Sequence, residues 1–146
     1  MNRLAWWLRI VGVFYVLQFV AMAIVKAPIR SQGPPGALAR AAAGDPTARF
    51  LIDTWVTFAL EVGAIGAVLL YASRIPERAK VIVWTVIAIE LSRGILADVY
   101  LIARGEPLNV LVPWFVIHTA VIASGLLVLR PARTAPRAVA AHALTH

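Results

Sequence analysis

Residues 4–25 read LAWWLRIVGVFYVLQFVAMAIV, an apolar run broken only by Arg9 and Gln18. About 20 mainly apolar residues carry an α-helix across the hydrocarbon core of a bilayer. This stretch therefore sets the class of the whole chain, a membrane protein whose first span is opened by Trp6 and Trp7 and closed by Lys26. Ala21-Met22-Ala23 resembles a signal-peptide cleavage site. The apolar run continues through Ile24 and Val25, so a retained span is expected instead.

Working outward, three more stretches have the same character. Asp45-Pro46, a capping residue followed by the proline that suits a first helical turn, opens a span over residues 46–71. A third span is expected over 76–104, from Pro76 to the stop made by Gly105 and Pro107. The fourth is expected over 108–129, ended by Arg130-Pro131, with Pro113 either opening it or kinking it. The expected fold is all-α, a polytopic four-transmembrane-helix bundle over residues 1–130. The tail 131–146 is rich in Ala, Arg and Pro and is expected to be cytoplasmic and disordered. Between the first two spans, Gln32-Gly33-Pro34-Pro35-Gly36 reads as an irregular turn, and Ala37 to Ala43 as a short surface helix.

Composition agrees: 61% of the 146 residues are hydrophobic and 14% charged, where a soluble domain has roughly 25% charged residues. Lipid must cover part of the surface. Orientation follows the lysines and arginines. One side carries Arg3, Arg9, Arg74, Arg78, Lys80, Arg130, Arg133 and Arg137; the other carries only Lys26, Arg30, Arg40, Arg49 and Arg104. Both termini are therefore expected on the cytoplasmic side of the membrane. The net charge of +7 lies in loops and tails beside apolar runs, where anionic headgroups explain it better than nucleic acid. The absence of cysteine excludes disulfides, thiolate metal sites and a cysteine nucleophile. No nucleotide-binding, zinc-protease or nucleophile-elbow motif is present.

Ionisable residues inside spans usually mark function. Asp53, Thr57 and Glu61 form one stripe of the second span. Glu90, Arg93, Gly94 and Asp98 are expected on one side of the third, with Glu90 and Arg93 close enough to pair. Tyr15 and Gln18 share a face of the first span, as do Trp114 and His118 of the fourth. Glu61, Glu90, Arg93 and His118 fall near their spans' midpoints, and Asp53, Asp98 and Trp114 lie one to two turns further out. A polar bundle interior is the expectation. Candidate ligand-binding residues are Tyr15, Gln18, Asp53, Glu61, Glu90, Arg93, Asp98, Trp114 and His118, with Glu61, Glu90 and His118 the candidates for acid–base chemistry. Structural readings compete: Glu90–Arg93 as a register-setting ion pair, and His118 as a helix–helix contact. Trp6, Trp7 and Trp55 read as interfacial anchors, and Gly63 and Gly66 as sites of close helix packing. A metal held by Glu61, Glu90 and His118 is chemically allowed but has no spacing signature, and none is assigned. No cofactor is identified.

Asp53-Thr54-Trp55 to Glu61, Glu90-Leu91-Ser92-Arg93-Gly94-Ile95 through Asp98, and Trp114 to His118 together resemble the small four-helix bacterial membrane proteins called BphX-like, over about Leu4 to Arg130. The resemblance implies a bacterial membrane protein, and the family's link to aromatic-degradation genes hints at apolar aromatic compounds. Three functions stand open. One is binding, with or without chemical change, of a small apolar or amphiphilic molecule; another is proton-coupled transport or a proton relay. The third is an accessory subunit docked in a larger membrane complex. Membrane lipids are expected partners, and a homodimer is compatible with each.

Overall fold

The computed structural model describes residues 2–24 and 36–130, which form six α-helices and short connections. The Gln32–Pro35 turn and the expected disordered tail from 131 lie outside the described residues. Helix α1, Arg3–Phe19, is capped by the Asn2 side chain, which accepts from the Leu4 and Ala5 amides at 3.1 and 3.4 Å. It runs on into a π turn, Val20–Ile24. The surface helix is present as α2, Ala37–Ala42. Gly44, at φ +97°, turns the chain into α3, Pro46–Ala72. Asp45 caps α3 as its sequence implies, accepting from Thr47 and Ala48 at 2.9 and 3.2 Å.

The next helical path departs from expectation at both its start and its middle. Pro76–Arg78 forms a 3₁₀ turn, and the α-helix begins only at Lys80. Helix α4, Lys80–Ile89, passes through a π turn, Glu90–Ile95, into α5, Leu96–Ala103. Gly105, at φ +87°, then ends it: the Gly105 amide donates to Ile102 and the Glu106 amide to Leu101 at 3.0 and 3.1 Å. These are the two reversed bonds of a glycine-terminated helix. Helix α6, Leu108–Leu129, starts directly after Pro107, so Pro113 lies inside it. Arg130 is extended, as a residue before proline must be. Among the described residues, three helices (Arg3–Ala23, Pro46–Ala72 and Leu108–Leu129) are long and apolar enough to cross a membrane.

Helix α1 is the hub. One side packs on α3 and another on α6, which in turn packs on the α4–α5 path. Leu8, Leu69, Val83 and Val86 are fully buried between them, joined by Trp7, Val11, Tyr15, Val62 and Ile87. Helix α3 and the α4–α5 path are not closely packed, so the bundle is open along one seam. Trp7 is not the interfacial anchor its position suggests. It lies on the buried Trp7–Val11–Tyr15 stripe, and its indole N–H donates to Ser124 Oγ at 2.9 Å. Trp55 is half-buried beside Phe58.

The α1–α3 crossing is set by glycines. A Cβ at Gly66 would stand 2.9 Å from the Gly12 carbonyl oxygen and from the Val16 amide nitrogen. Both are backbone atoms and cannot swing aside. Gly66→Ala is expected to cost about 1–3 kcal/mol, as overpacked sites do, read as a lower thermal midpoint of the detergent-solubilised protein. Exposed Leu17→Ala on the same helix pair should stay within about 0.5 kcal/mol. Equal midpoints for the two variants would refute the close crossing.

Candidate functional site

The π turn decides which polar residues of the third helical path meet the interior. A π turn closes its hydrogen bonds from i to i+5 and so holds more residues than an α turn. Residues four apart then align, and residues three apart diverge. Glu90 and Gly94 accordingly face inward with Asp98, and all three are buried. Arg93 faces outward, its side chain 48% exposed. The expected Glu90–Arg93 pair therefore does not form: Arg93 Nη1 donates instead to Glu61 Oε2 of α3, and its guanidinium sits 4.4 Å from the Phe58 ring centroid.

Glu90 is 5% exposed, and both its oxygens are engaged. Oε1 accepts from the Tyr15 hydroxyl of α1, and Oε2 is hydrogen-bonded to His118 Nδ1 of α6. One carboxylate thus ties together three helices. With Nδ1 committed to Glu90, His118 presents Nε2 to Asp98 Oδ2 at 3.9 Å, just beyond hydrogen-bond length. Asp98 is 7% exposed, and its Oδ2 has no hydrogen-bond partner among the described residues. The imidazole is held on two other sides. Trp114 stacks on it at 6.2 Å and 29°. A Cβ at Gly94 would fall 2.5 Å from His118 Cγ, so only glycine admits the ring there.

Next to this cluster is a cavity of about 50 Å³, lined by Tyr15, Gln18, Glu90, Arg93 and His118 with Phe58 and other apolar side chains. Two larger clefts open outward along the seam between α3 and the α4–α5 path. One, about 440 Å³, is lined by Leu51, Thr54, Trp55, Ser92 and Ala97; the other, about 380 Å³, by Phe50, Asp53, Thr57 and Glu61. Phe58 and Arg93 line all three spaces. They form the wall between inside and outside.

Of the residues expected to share the interior, the structure brings together Tyr15, Glu90, Asp98 and His118, with Gln18 beside them and Trp114 at the edge. It does not bring Glu61 and Asp53 there, and Arg93 reaches the cavity only as part of its wall. Glu61 has its side chain 51% exposed, and Asp53 is exposed in the same outer cleft. The trio Glu61, Glu90 and His118 is therefore not assembled as a metal site. Among the described residues, no group of three or more His, Asp or Glu is placed to hold a metal ion. The sequence places Gly94 on the Glu90 face without showing why a glycine is needed there, and it does not single out Phe58. The glycine's position four residues after Glu90 was the available signal; for Phe58 there was none.

Fold and site define an all-helical protein whose long apolar helices enclose a carboxylate–imidazole–phenol cluster behind a half-open seam. The chain belongs to the BphX-like family, whose model matches residues 1–134. It is 30% identical over 115 residues to an uncharacterised BphX-like protein of Burkholderia cepacia, covering 77% of this chain and 76% of that one. An uncharacterised BphX-like protein of Paraburkholderia xenovorans matches at the same identity and coverage. No solved structure matches the chain.

The cluster's geometry sets an order of stability among variants. Glu90→Leu leaves the Tyr15 hydroxyl and the His118 ring without their buried partner, at about 1–3 kcal/mol for each group. Glu90→Gln offers both groups an amide in the same place and should cost clearly less. Chemical denaturation of the two variants in detergent checks this, and the reverse order would show that Glu90 does not hold the helices together.

Proposed function

We propose that this protein is a four-span protein of the bacterial inner membrane, both termini cytoplasmic, that binds a small apolar or amphiphilic molecule entering sideways from the bilayer. The fourth span is the α4–α5 path. Lys80 to Ala103 is helical without a break, about 35 Å long at 1.5 Å per residue, enough for a hydrocarbon core of about 30 Å. The excess of lysine and arginine at the start of the first span, in the 74–80 turn and from Arg130 onward supports the orientation.

The observation that carries the binding reading is the shared Phe58–Arg93 wall. The inner cavity, at about 50 Å³, has room for a polar group of a few heavy atoms, since one water needs about 10–15 Å³ by this measure. It is far below the roughly 300–1,000 Å³ that a whole drug-sized molecule occupies. The clefts beyond the wall are large and mostly apolar. A molecule with a small polar head and an apolar or aromatic body fits that division, head at Glu90 and body in the seam. Tyr15 supplies a hydroxyl donor, Glu90 an acceptor or base, and Gln18 an amide that fixes orientation. His118 moves a proton between Glu90 and Asp98, and Trp114 keeps its ring in plane. Arg93 is a wall and a tether rather than a ligand for Glu90. The same acid–base set would serve a chemical change in the bound head.

Native mass spectrometry of the gently solubilised protein tests this. The wild type is expected to carry a stoichiometric extra mass that Glu90→Gln loses by at least tenfold in occupancy. Wild type and variant flying equally bare would overturn the reading.

One observation favours a second reading, a proton relay. Tyr15, Glu90, His118 and Asp98 form a single line, Tyr15 to Glu90 to His118 by hydrogen bonds and His118 to Asp98 across 3.9 Å. Proteoliposomes under a pH gradient would then show proton flux that His118→Asn abolishes. Flux at the level of empty liposomes ends that reading.

A further inference from the structure

We propose that the head of the bound molecule is a cation, an organic ammonium group held against Glu90. The inference rests on the ligand reading above and names the chemical class of that ligand.

The charge balance of the cluster carries it. Glu90 and Asp98, 5% and 7% exposed, both flank one imidazole, that of His118. A protonated His118 balances one of the two carboxylates. The other is left as a net negative charge inside a span, where an uncompensated charge is strongly disfavoured. Arg93 does not supply the balance. It lines the cavity, but its Nη1 is bound to Glu61, and the two form a neutral pair. Asp98 shows the shortfall directly: its Oδ2 is buried and has no hydrogen-bond partner among the described residues.

The cavity beside Glu90 suits an ammonium in size and in lining. Its volume of about 50 Å³ takes a group of a few heavy atoms. Each Glu90 oxygen has one hydrogen-bonded neighbour, Tyr15 or His118, and a carboxylate oxygen can accept a second bond. Gln18, on the same wall, offers an amide carbonyl as a further acceptor. An ammonium nitrogen brings N–H donors for these sites together with the missing charge. A carboxylate head would stand against Glu90, and a hydroxyl head would leave the cluster's charge unbalanced. A hard metal ion is a poor substitute, since it takes about six or more oxygens. The side-chain oxygens lining this cavity are those of Glu90, Tyr15 and Gln18, set among apolar walls. The apolar tail of the amine would lie in the clefts beyond Phe58 and Arg93.

Decylamine, decanol and decanoate share one tail and differ only in having a cationic, a neutral or an anionic head. Each would be titrated into the detergent-solubilised protein, with intrinsic tryptophan fluorescence as the readout. Trp55 at the cleft and Trp114 against His118 lie where binding is felt. A hydrogen bond to a charged group exceeds a neutral one by enough for about tenfold in affinity. The wild type is therefore expected to bind decylamine at least tenfold more tightly than decanol, and decanoate more weakly than either. Glu90→Gln and Asp98→Asn should each abolish the preference for the amine over the alcohol. Asp98→Asn breaks no hydrogen bond of the cluster, so it decides the matter even where Glu90→Gln fails to fold. Comparing the two proteins at one probe cancels the probe's partition into the micelle. Decanol bound as tightly as decylamine overturns the ammonium assignment and leaves the ligand reading standing; it means that a second proton neutralises the cluster. A preference for the amine that survives Asp98→Asn overturns the assignment too. Failure of all three probes to bind overturns it together with the reading on which it rests.

Discussion

One buried carboxylate, that of Glu90, orders this molecule. It is nearly solvent-free, and each of its oxygens is bound by a side chain from a different helix, Tyr15 from α1 and His118 from α6. A carboxylate in an apolar interior is strongly disfavoured unless its hydrogen-bonding capacity is met. The three helices must therefore keep the spacing that meets it. The π turn at Glu90–Ile95 is the backbone's answer to that demand. It brings Glu90, Gly94 and Asp98 to one side and opens, at Gly94, the clearance that the His118 ring fills. Single π turns are costly relative to a continuous α-helix and gather at functional positions, which is where this one lies.

Much of the fold could be read from residue order alone, because lengths, caps and stops are local. Asp45-Pro46 and Gly105 mark their helix ends in the structure as they do in the sequence. The face of α6 that carries Trp114 and His118 is legible in the same way. The π turn could not be read. It depends on a tertiary requirement, the binding of Glu90 by two other helices, and nothing in Glu-Leu-Ser-Arg-Gly-Ile signals a change of pitch. Assuming α-helical pitch through residues 90–95 places Arg93 inside beside Glu90, whereas Gly94 and Asp98 fall on the inner side under either pitch. Position along a helix is local, whereas azimuth depends on what the helix packs against. Matching depths made a common polar interior for Glu61 and Glu90 look natural, but depth does not distinguish the inner face of α3 from its outer one. Trp7 shows the same weakness at smaller scale, since a tryptophan near a helix end serves as anchor or core according to azimuth.

The bundle is tight on one side and loose on the other. Gly12 and Gly66 bring α1 and α3 to backbone contact, and the Trp7–Ser124 bond with the Ile87–Gly125 contact locks α1 and the α4–α5 path against α6. Between α3 and the α4–α5 path, by contrast, side chains bridge a seam that the backbones leave open. The principal bridge is Arg93, bound to Glu61 and lying over Phe58. Two consequences follow. Opening the seam needs a change of one long side chain rather than a shift of helices that glycine contacts hold rigid. And the bridge separates the two acidic environments: Glu90 is satisfied within the tight half, while Glu61 is satisfied by a cation that belongs to the loose half.

That separation bears on how a small polar site survives in a chain so poor in charge. Had Arg93 pointed inward, it would have paired with Glu90 and left Tyr15 and His118 to find other partners. The cluster would then have been a closed ion pair with no free valence. By turning Arg93 out, the π turn leaves Glu90 bound only by a phenol and an imidazole, two groups that can each take or give a proton. It also leaves Asp98 within a short side-chain movement of the same imidazole. Fixed charge is thus exported to the seam and titratable charge is kept inside. The proposed site, which would exchange protons with a guest or along its own line of side chains, draws on that division.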